Sequence, residues 1–163
     1  MMDLLWSLWP LVVIALMVLA AIKLARLVSQ RDRTPYVKRQ KLVTKTELRF
    51  YHELRRAVDD DWEIFAMVRI ADILRVPTGM KNRRKWLNKI LAKHIDFVLC
   101  DQDNLEILAG IELDDRSHDR ADRQKRDRFV NSAFEDAGIP LLRIPTQSSY
   151  DTREIRRLID DAI

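Results

Sequence analysis

Three carboxylates occupy positions in the chain where apolar strand residues would be expected. Asp96 lies within the stretch 94–101, and Glu112 and Asp114 lie within the stretch 105–114. In the first stretch Ile95, Phe97 and Leu99 alternate with Asp96, Val98 and Cys100; in the second Ile107, Ala109, Ile111 and Leu113 alternate with Leu108, Gly110, Glu112 and Asp114. Period two therefore puts Glu112 and Asp114 on one strand face. The polar break from Asp101 to Asn104 has turn chemistry and suits a hairpin, which sets Asp96 across from Glu112. Directly opposed side chains root about 4.5 to 5.5 Å apart, and two like charges there repel unless a cation sits between them. A divalent ion held by Asp96, Glu112 and Asp114 is the chemistry this spacing implies, and hard oxygen donors point to Mg2+ or Mn2+. A solvated strand exit is the plain alternative for Asp114.

Cations cluster close by in the sequence. Arg75, Lys81, Arg83, Arg84, Lys85, Lys89 and Lys93 occur without one acidic residue among them and lead directly into the first acidic strand. Such a run is either a solvated face or a phosphate-binding stripe, with Trp86 anchoring the segment or stacking on a base. After the second strand come His118, then Lys125 and Arg126 on a helix expected over Asp119 to Ala137, whose buried face is Phe129, Val130, Ala133 and Ala137. That helix ends at Gly138.

The elements that must carry these groups follow in order. Thr44 opens a helix in which Leu48, Tyr51, Leu54 and Val58 form the apolar stripe, and Thr44 with Glu47 matches a capping box. Glu47 shares that face and could serve both as cap and beside a site. Trp62 to Ile70 reads as a strand apolar on both sides, with Trp62, Ile64, Ala66, Val68 and Ile70 on one of them. Lys85 to Ala92 can form a short helix, Ile139 to Ile144 a short strand, and Ile155, Leu158, Ile159 and Ala162 an amphipathic helix from about Asp151. The soluble part thus reads α-β-β-β-α-β-α: an α/β domain with a small mixed sheet flanked by helices, preceded by one transmembrane helix.

With 163 residues there is room for one ordinary domain plus an appendage. Leu4 to Ile22 carries no charge and is broken only by Ser7 and Pro10, long enough as a helix to cross a bilayer. Trp6 and Trp9 flank one end; Lys23, Arg26, Arg31, Arg33, Lys38, Arg39 and Lys41 crowd the other, so the positive-inside rule puts the C-terminal part in the cytoplasm and the N-terminus outside an inner membrane. Ala20 and Ala21 would also suit a signal peptidase, but Asp3 and the length of the apolar run argue for an anchor. The expected division is an anchor over 1–28, a basic linker over 29–43 whose cations can rest on anionic lipid, and a domain over 44–163. Cys100 is the only cysteine, which excludes an intramolecular disulfide, a thiolate zinc site and a redox pair. The net charge of +4 is mild, and its uneven placement matters more than the sum.

Asp96 on one strand, Glu112 and Asp114 on the next, Ser117 and His118, a basic helix and the segment from Leu141 to Ile144 together resemble the PD-(D/E)XK nuclease superfamily, especially its very-short-patch-repair endonuclease-like branch. The stretch from about Leu42 to Ile144 is similar to a bacterial domain family of unknown function assigned to that fold, often found behind an N-terminal membrane segment. The resemblance implies a restriction-endonuclease-like core. It makes Asp96 and Glu112 the metal ligands, Glu47 the first-helix glutamate beside the site, and His118 a participant in catalysis. In the superfamily pattern a lysine follows the glutamate by two residues; here that position is Asp114, and Lys125 would supply the missing charge.

A magnesium-dependent phosphodiesterase acting on DNA is the reading these residues support. Asp114 would be a third ligand or water-positioning base, His118 a proton shuttle, and Lys125, Arg126 or Arg143 the groups that stabilise added negative charge. The segment from Arg75 to Lys93 would give sequence-independent affinity through phosphates. The rivals are a nuclease-like domain that tethers DNA without cutting it, and a membrane-anchored protein-interaction domain with purely structural carboxylates.

Overall fold

A computed structural model describes residues 2–29, 34–114 and 121–163. The chain divides into two units, Met1–Gln40 and Lys41–Ile163. The first holds one helix, α1 (Met2–Ser29), with Pro10 inside it. Its stretch Leu8–Arg26 has a mean hydropathy of 2.4 and is unburied, so by length and composition it can cross a bilayer.

The second unit is a four-stranded mixed sheet between two helical layers. In chain order it runs α2 (Lys45–Val58), β1 (Trp62–Arg69), α3 (Ile70–Ile73), α4 (Arg83–Leu91), β2 (His94–Asp101), β3 (Ile107–Asp114), α5 (Ala121–Asp136), β4 (Leu141–Pro145) and α6 (Thr152–Asp160). The strands lie in the order β1-β2-β3-β4. The first two pairings are antiparallel, and β3 pairs with β4 in parallel, which requires a crossover that α5 supplies.

Two apolar clusters hold the layers. On one face, Phe50, Leu54, Ala57 and Val58 of α2 and Ile155 and Ile159 of α6 pack on Phe97, Leu99, Ile111 and Ile144 of the sheet. On the other, Ile70 of α3, Ile90 of α4 and Val130 and Phe134 of α5 pack on Ile95, Val98 and Cys100. Burial pushes the Cys100 thiol up, so it stays a neutral packing group. Gly110 lets the Phe134 side chain of α5 lie close against the sheet. A Cβ there would stand 2.9 Å from the Phe134 ring and 3.1 Å from Leu141.

Four local expectations need correction. Phe50 and Ala57 join Leu54 and Val58 in the buried stripe of α2, whereas Tyr51 is only half-buried at its margin. Phe134 is the buried anchor of α5, whereas Ala137 is exposed past the helix end. β1 is an edge strand and not a doubly covered one; Phe65 is 41% exposed. The single-face alternation of the first two strands also fails. Ile64 and Ala66 pack on the α2 side but Val68 on the α5 side, and Phe97 and Leu99 pack on the α2 side but Ile95 on the other.

One backbone irregularity lies at the level of both switches. Met67 has a left-handed backbone, φ 57°, and its ladder pairing to Asp96 is interrupted, while the register on either side is unchanged. A non-glycine residue takes this backbone at a cost of about 1 kcal/mol or more.

Candidate functional site

The hairpin between β2 and β3 forms as its turn chemistry requires. The Asp101 carboxylate accepts from the backbone N–H groups of Asp103 and Asn104, both at 3.0 Å, and Leu105 takes a left-handed backbone to close the loop. A bulge at Leu99 and Cys100 absorbs one residue. Beyond it Phe97 faces Ile111, so the next step along the register sets Asp96 against Glu112.

At that step the ladder gives way to side-chain chemistry. Asp96 lacks regular pairing toward both β1 and β3, and its Oδ2 accepts the Leu113 N–H at 2.8 Å in place of a strand carbonyl. Glu112 is 8% exposed, the one charged side chain among the buried residues described. Desolvation and the neighbouring Asp96 push its carboxyl up to about 7, with Asp114 adding a smaller push and Arg126 and Arg143 opposing it. Asp96 is raised as well, by its burial first, against the Leu113 N–H; Glu47 and Asp114 raise it further and Arg126 lowers it. A buried carboxyl that a neighbouring carboxylate raises is eased by a proton or, in its place, by a nearby positive charge.

Asp114 has a different neighbourhood. Arg143, paired across the parallel ladder with Glu112, donates from Nη1 to Asp114 at 2.7 Å and from Nε to Asn131 at 2.9 Å, and stands 3.6 Å from Asp127. Its guanidinium braces α5 to β3 and is largely spoken for, where a free phosphate contact was expected. Among the described residues no three His, Cys, Asp or Glu side chains converge as a metal-holding group. The three-carboxylate set expected from the spacing is thus reduced to two, Asp96 and Glu112, with Asp114 engaged by Arg143. Two carboxylates still suit Mg2+, which is commonly held by one or two and keeps several of its waters.

The remaining expected residues fall around this pair. Glu47 is the cap that the sequence implies: its carboxylate accepts the Thr44 N–H at 2.7 Å, and the Thr44 hydroxyl accepts the Glu47 N–H at 3.2 Å. Its charge is also felt by Asp96, so the two roles coexist. Of the two basic neighbours on α5, both exposed, Arg126 is the one whose charge acts on both carboxylates. His118, with Asp115 and the first residues of the expected α5, lies outside the described residues. Arg75, Lys81, Arg83, Arg84 and Lys85 are exposed, whereas Lys89 and Lys93 are half-buried around aromatic rings. The Lys89 ammonium lies 4.1 Å from the centroid of Trp86 and 5.0 Å from that of Phe129; Lys93 lies 5.6 Å from Phe129 and donates to the Lys89 carbonyl.

Two features had no signal in the strand or helix periods. Met67 is the first. The second is a polar cavity of about 480 Å³ beside Leu113, walled by Thr44, Thr46 and Glu47 from the start of α2 and by Thr146, Gln147 and Ser148 after β4. Arg49 holds that last loop through the carbonyls of Gln147 and Ser148, at 3.4 and 3.0 Å, and the Tyr150 hydroxyl accepts from Gln147 N–H. Only the Thr-Gln-Ser composition after Pro145 hinted at it.

The class so defined is a small mixed-sheet α/β domain with a semi-buried carboxylate pair at the junction of its two central strands. Residues 39–163 match the model of a family described as protein of unknown function, DUF2726, and the chain belongs to that family. Neither a curated protein nor a solved structure matches the chain.

Proposed function

We propose that this protein is a membrane-anchored, divalent-metal-dependent nuclease-like enzyme that hydrolyses phosphodiester bonds in DNA, with a PD-(D/E)XK-type, restriction-endonuclease-like core. The observation that carries the reading is the Asp96 and Glu112 pair, set where the ladder is interrupted; burial raises both carboxyls, and Asp96 raises Glu112 further. Asp96 and Glu112 would hold Mg2+ or Mn2+. The ion, when bound, supplies a Lewis acid for the phosphate and a more acidic water.

The chain's own groups do the rest. Arg126 faces the pair from α5 and takes the negative charge that gathers on a phosphate, with Lys125 next to it on the same helix. Asp114, held by Arg143, orients water at the edge of the site. Glu47 fixes the start of α2 and adds negative potential beside Asp96. His118 is the proton shuttle of this proposal. Arg75, Lys81, Arg83, Arg84 and Lys85 attract the backbone of DNA without reading its sequence. α1 keeps the domain at the inner membrane on its cytoplasmic side, and the basic residues after it meet anionic lipid.

The test is the full chain in zwitterionic lipid nanodiscs with labelled single- and double-stranded DNA, in Mg2+ or Mn2+, beside Glu112→Ala. Cleavage by the parent alone is the expected outcome; equal cleavage by both would sink the mechanism. A second reading has one observation in its favour, the engagement of Asp114 by Arg143 where the superfamily pattern has a lysine. In it the domain binds DNA at the membrane without cutting, and salt-sensitive retention with no turnover is the result that selects it.

A further inference from the structure

We propose that the groove between the loop 74–80, α4 and α5 seats an unpaired nucleobase, so that the ligand is single-stranded or locally unpaired nucleic acid and not a continuous duplex. This rests on the nucleic-acid reading of the carboxylate pair. The groove encloses about 760 Å³, room for a base and its sugar, and is mainly apolar. Leu74, Val76, Met80, Trp86 and Phe129 provide flat or flexible apolar surface, and Arg75, Lys89 and Arg128 stand against a single acid, Asp136. Aromatic rings with interleaved cations are what a stacked base and its phosphate require, because every base has a π-face and every linkage a charge.

Three observations separate this occupant from others. Trp86 is 43% exposed although Lys89 sits over its ring, so a large aromatic surface is kept in water beside a cation. The excess of cations disfavours a neutral apolar peptide, and a concave site takes a discrete group better than a flat bilayer surface does. The groove also lies next along α5 from the side chain that acts on the carboxylates. Arg126, whose charge acts on Asp96 and Glu112, is followed by Phe129 in the groove, one helical turn or about 4.5 Å further along the axis. A strand whose phosphate lies at the carboxylates therefore reaches the groove with its adjoining base, provided that base is free of a partner. Base-paired DNA keeps its bases stacked on one another and cannot offer it.

The experiment measures binding of a labelled oligothymidine of about 12 nucleotides and of a blunt duplex of the same length. The full chain is held in zwitterionic nanodiscs with EDTA, beside Trp86→Ala, Ser132→Glu and Glu112→Ala. Ser132 is an exposed wall residue of the groove, so its glutamate variant adds a repulsive charge without touching the core. Tighter binding of the single strand is expected, with both groove variants weakening it about 10-fold and changing duplex binding less than about 2-fold, and Glu112→Ala still binding. Equal affinity for both ligands, or groove variants that fold and bind like the parent, would overturn the proposal. So would an effect confined to association with phosphatidylserine vesicles, which would make the groove a bilayer contact. Discrimination without any cleavage in Mg2+ or Mn2+ would sustain the groove while removing the nuclease. Cleavage of duplex by Trp86→Ala at the parent's rate, with no single-strand preference, would do the reverse.

Discussion

Glu112 and Asp114 are two residues apart on one strand and share a face, yet their environments are opposite. Glu112 is 8% exposed and meets another carboxylate across the strands, whereas the Asp114 side chain is 46% exposed and meets a guanidinium at 2.7 Å. The first pair is held in place against its own electrostatics, and the second is stabilised by them. Residue type therefore says little about role here. An acid whose opposite charge comes from the fold acts as a brace, and an acid denied that charge is left to find a proton or a metal.

The largest effect expected from breaking this contrast is on turnover. Glu112→Ala should lower metal-dependent cleavage on the order of 100-fold or more, whereas Asp114→Asn should lower it less than about 10-fold, both measured on the DNA substrates above. A comparable loss in Asp114→Asn would put Asp114 at the centre of the reaction instead of at its edge.

Stability against pH gives the next test. The carboxyl of Glu112 is raised in the folded chain to about 7 from an ordinary 4.5, so between these values the folded state holds a proton that the unfolded state has released. Its contribution is complete below pH 4.5 and is lost as pH rises through about 7, by roughly 3 kcal/mol; Asp96, also raised, acts in the same direction. Urea unfolding of the metal-free chain should show stability falling over that window and Glu112→Gln removing most of the slope. Added Mg2+ should restore stability above pH 7 to the parent and not to the variant. A slope of the opposite sign would mean that the pair is already compensated by a cationic group.

Gly110 tests how tightly α5 must sit for the contrast to exist. Gly110→Ala forces its new methyl against Phe134 and Leu141, at an expected cost of about 1 to 3 kcal/mol in urea unfolding. Should the cost be negligible, α5 moves more easily than its packing implies. The smallest effect belongs to the brace itself: Asp114→Asn should lower stability by less than about 1 kcal/mol, since the pair is partly exposed.

Much of the framework could be read from the sequence because it depends on neighbours a few residues apart. Thr44 and Glu47 form their capping box, Asp101 organises the hairpin turn, Gly138 takes the left-handed backbone after α5, and Asp151 caps α6. Strand alternation with a short turn pointed to Asp96 opposite Glu112, although the register reaches that alignment only through the bulge at Leu99 and Cys100. The errors fell where a distant contact overrides a local period. Nothing near Met67 announces a left-handed residue in a strand, yet at its level Val68 and Ile95 pass to the other face.

The sequence by itself thus determined the strands, the opposed acids and the apolar N-terminal helix, since pattern and turn chemistry act locally. Only the tertiary structure decided which acid became the brace. Arg143 comes from a strand that reaches β3 through the α5 crossover, and its charge falls beside Asp114 while Glu112 stays buried facing Asp96; no spacing within either strand carries that information.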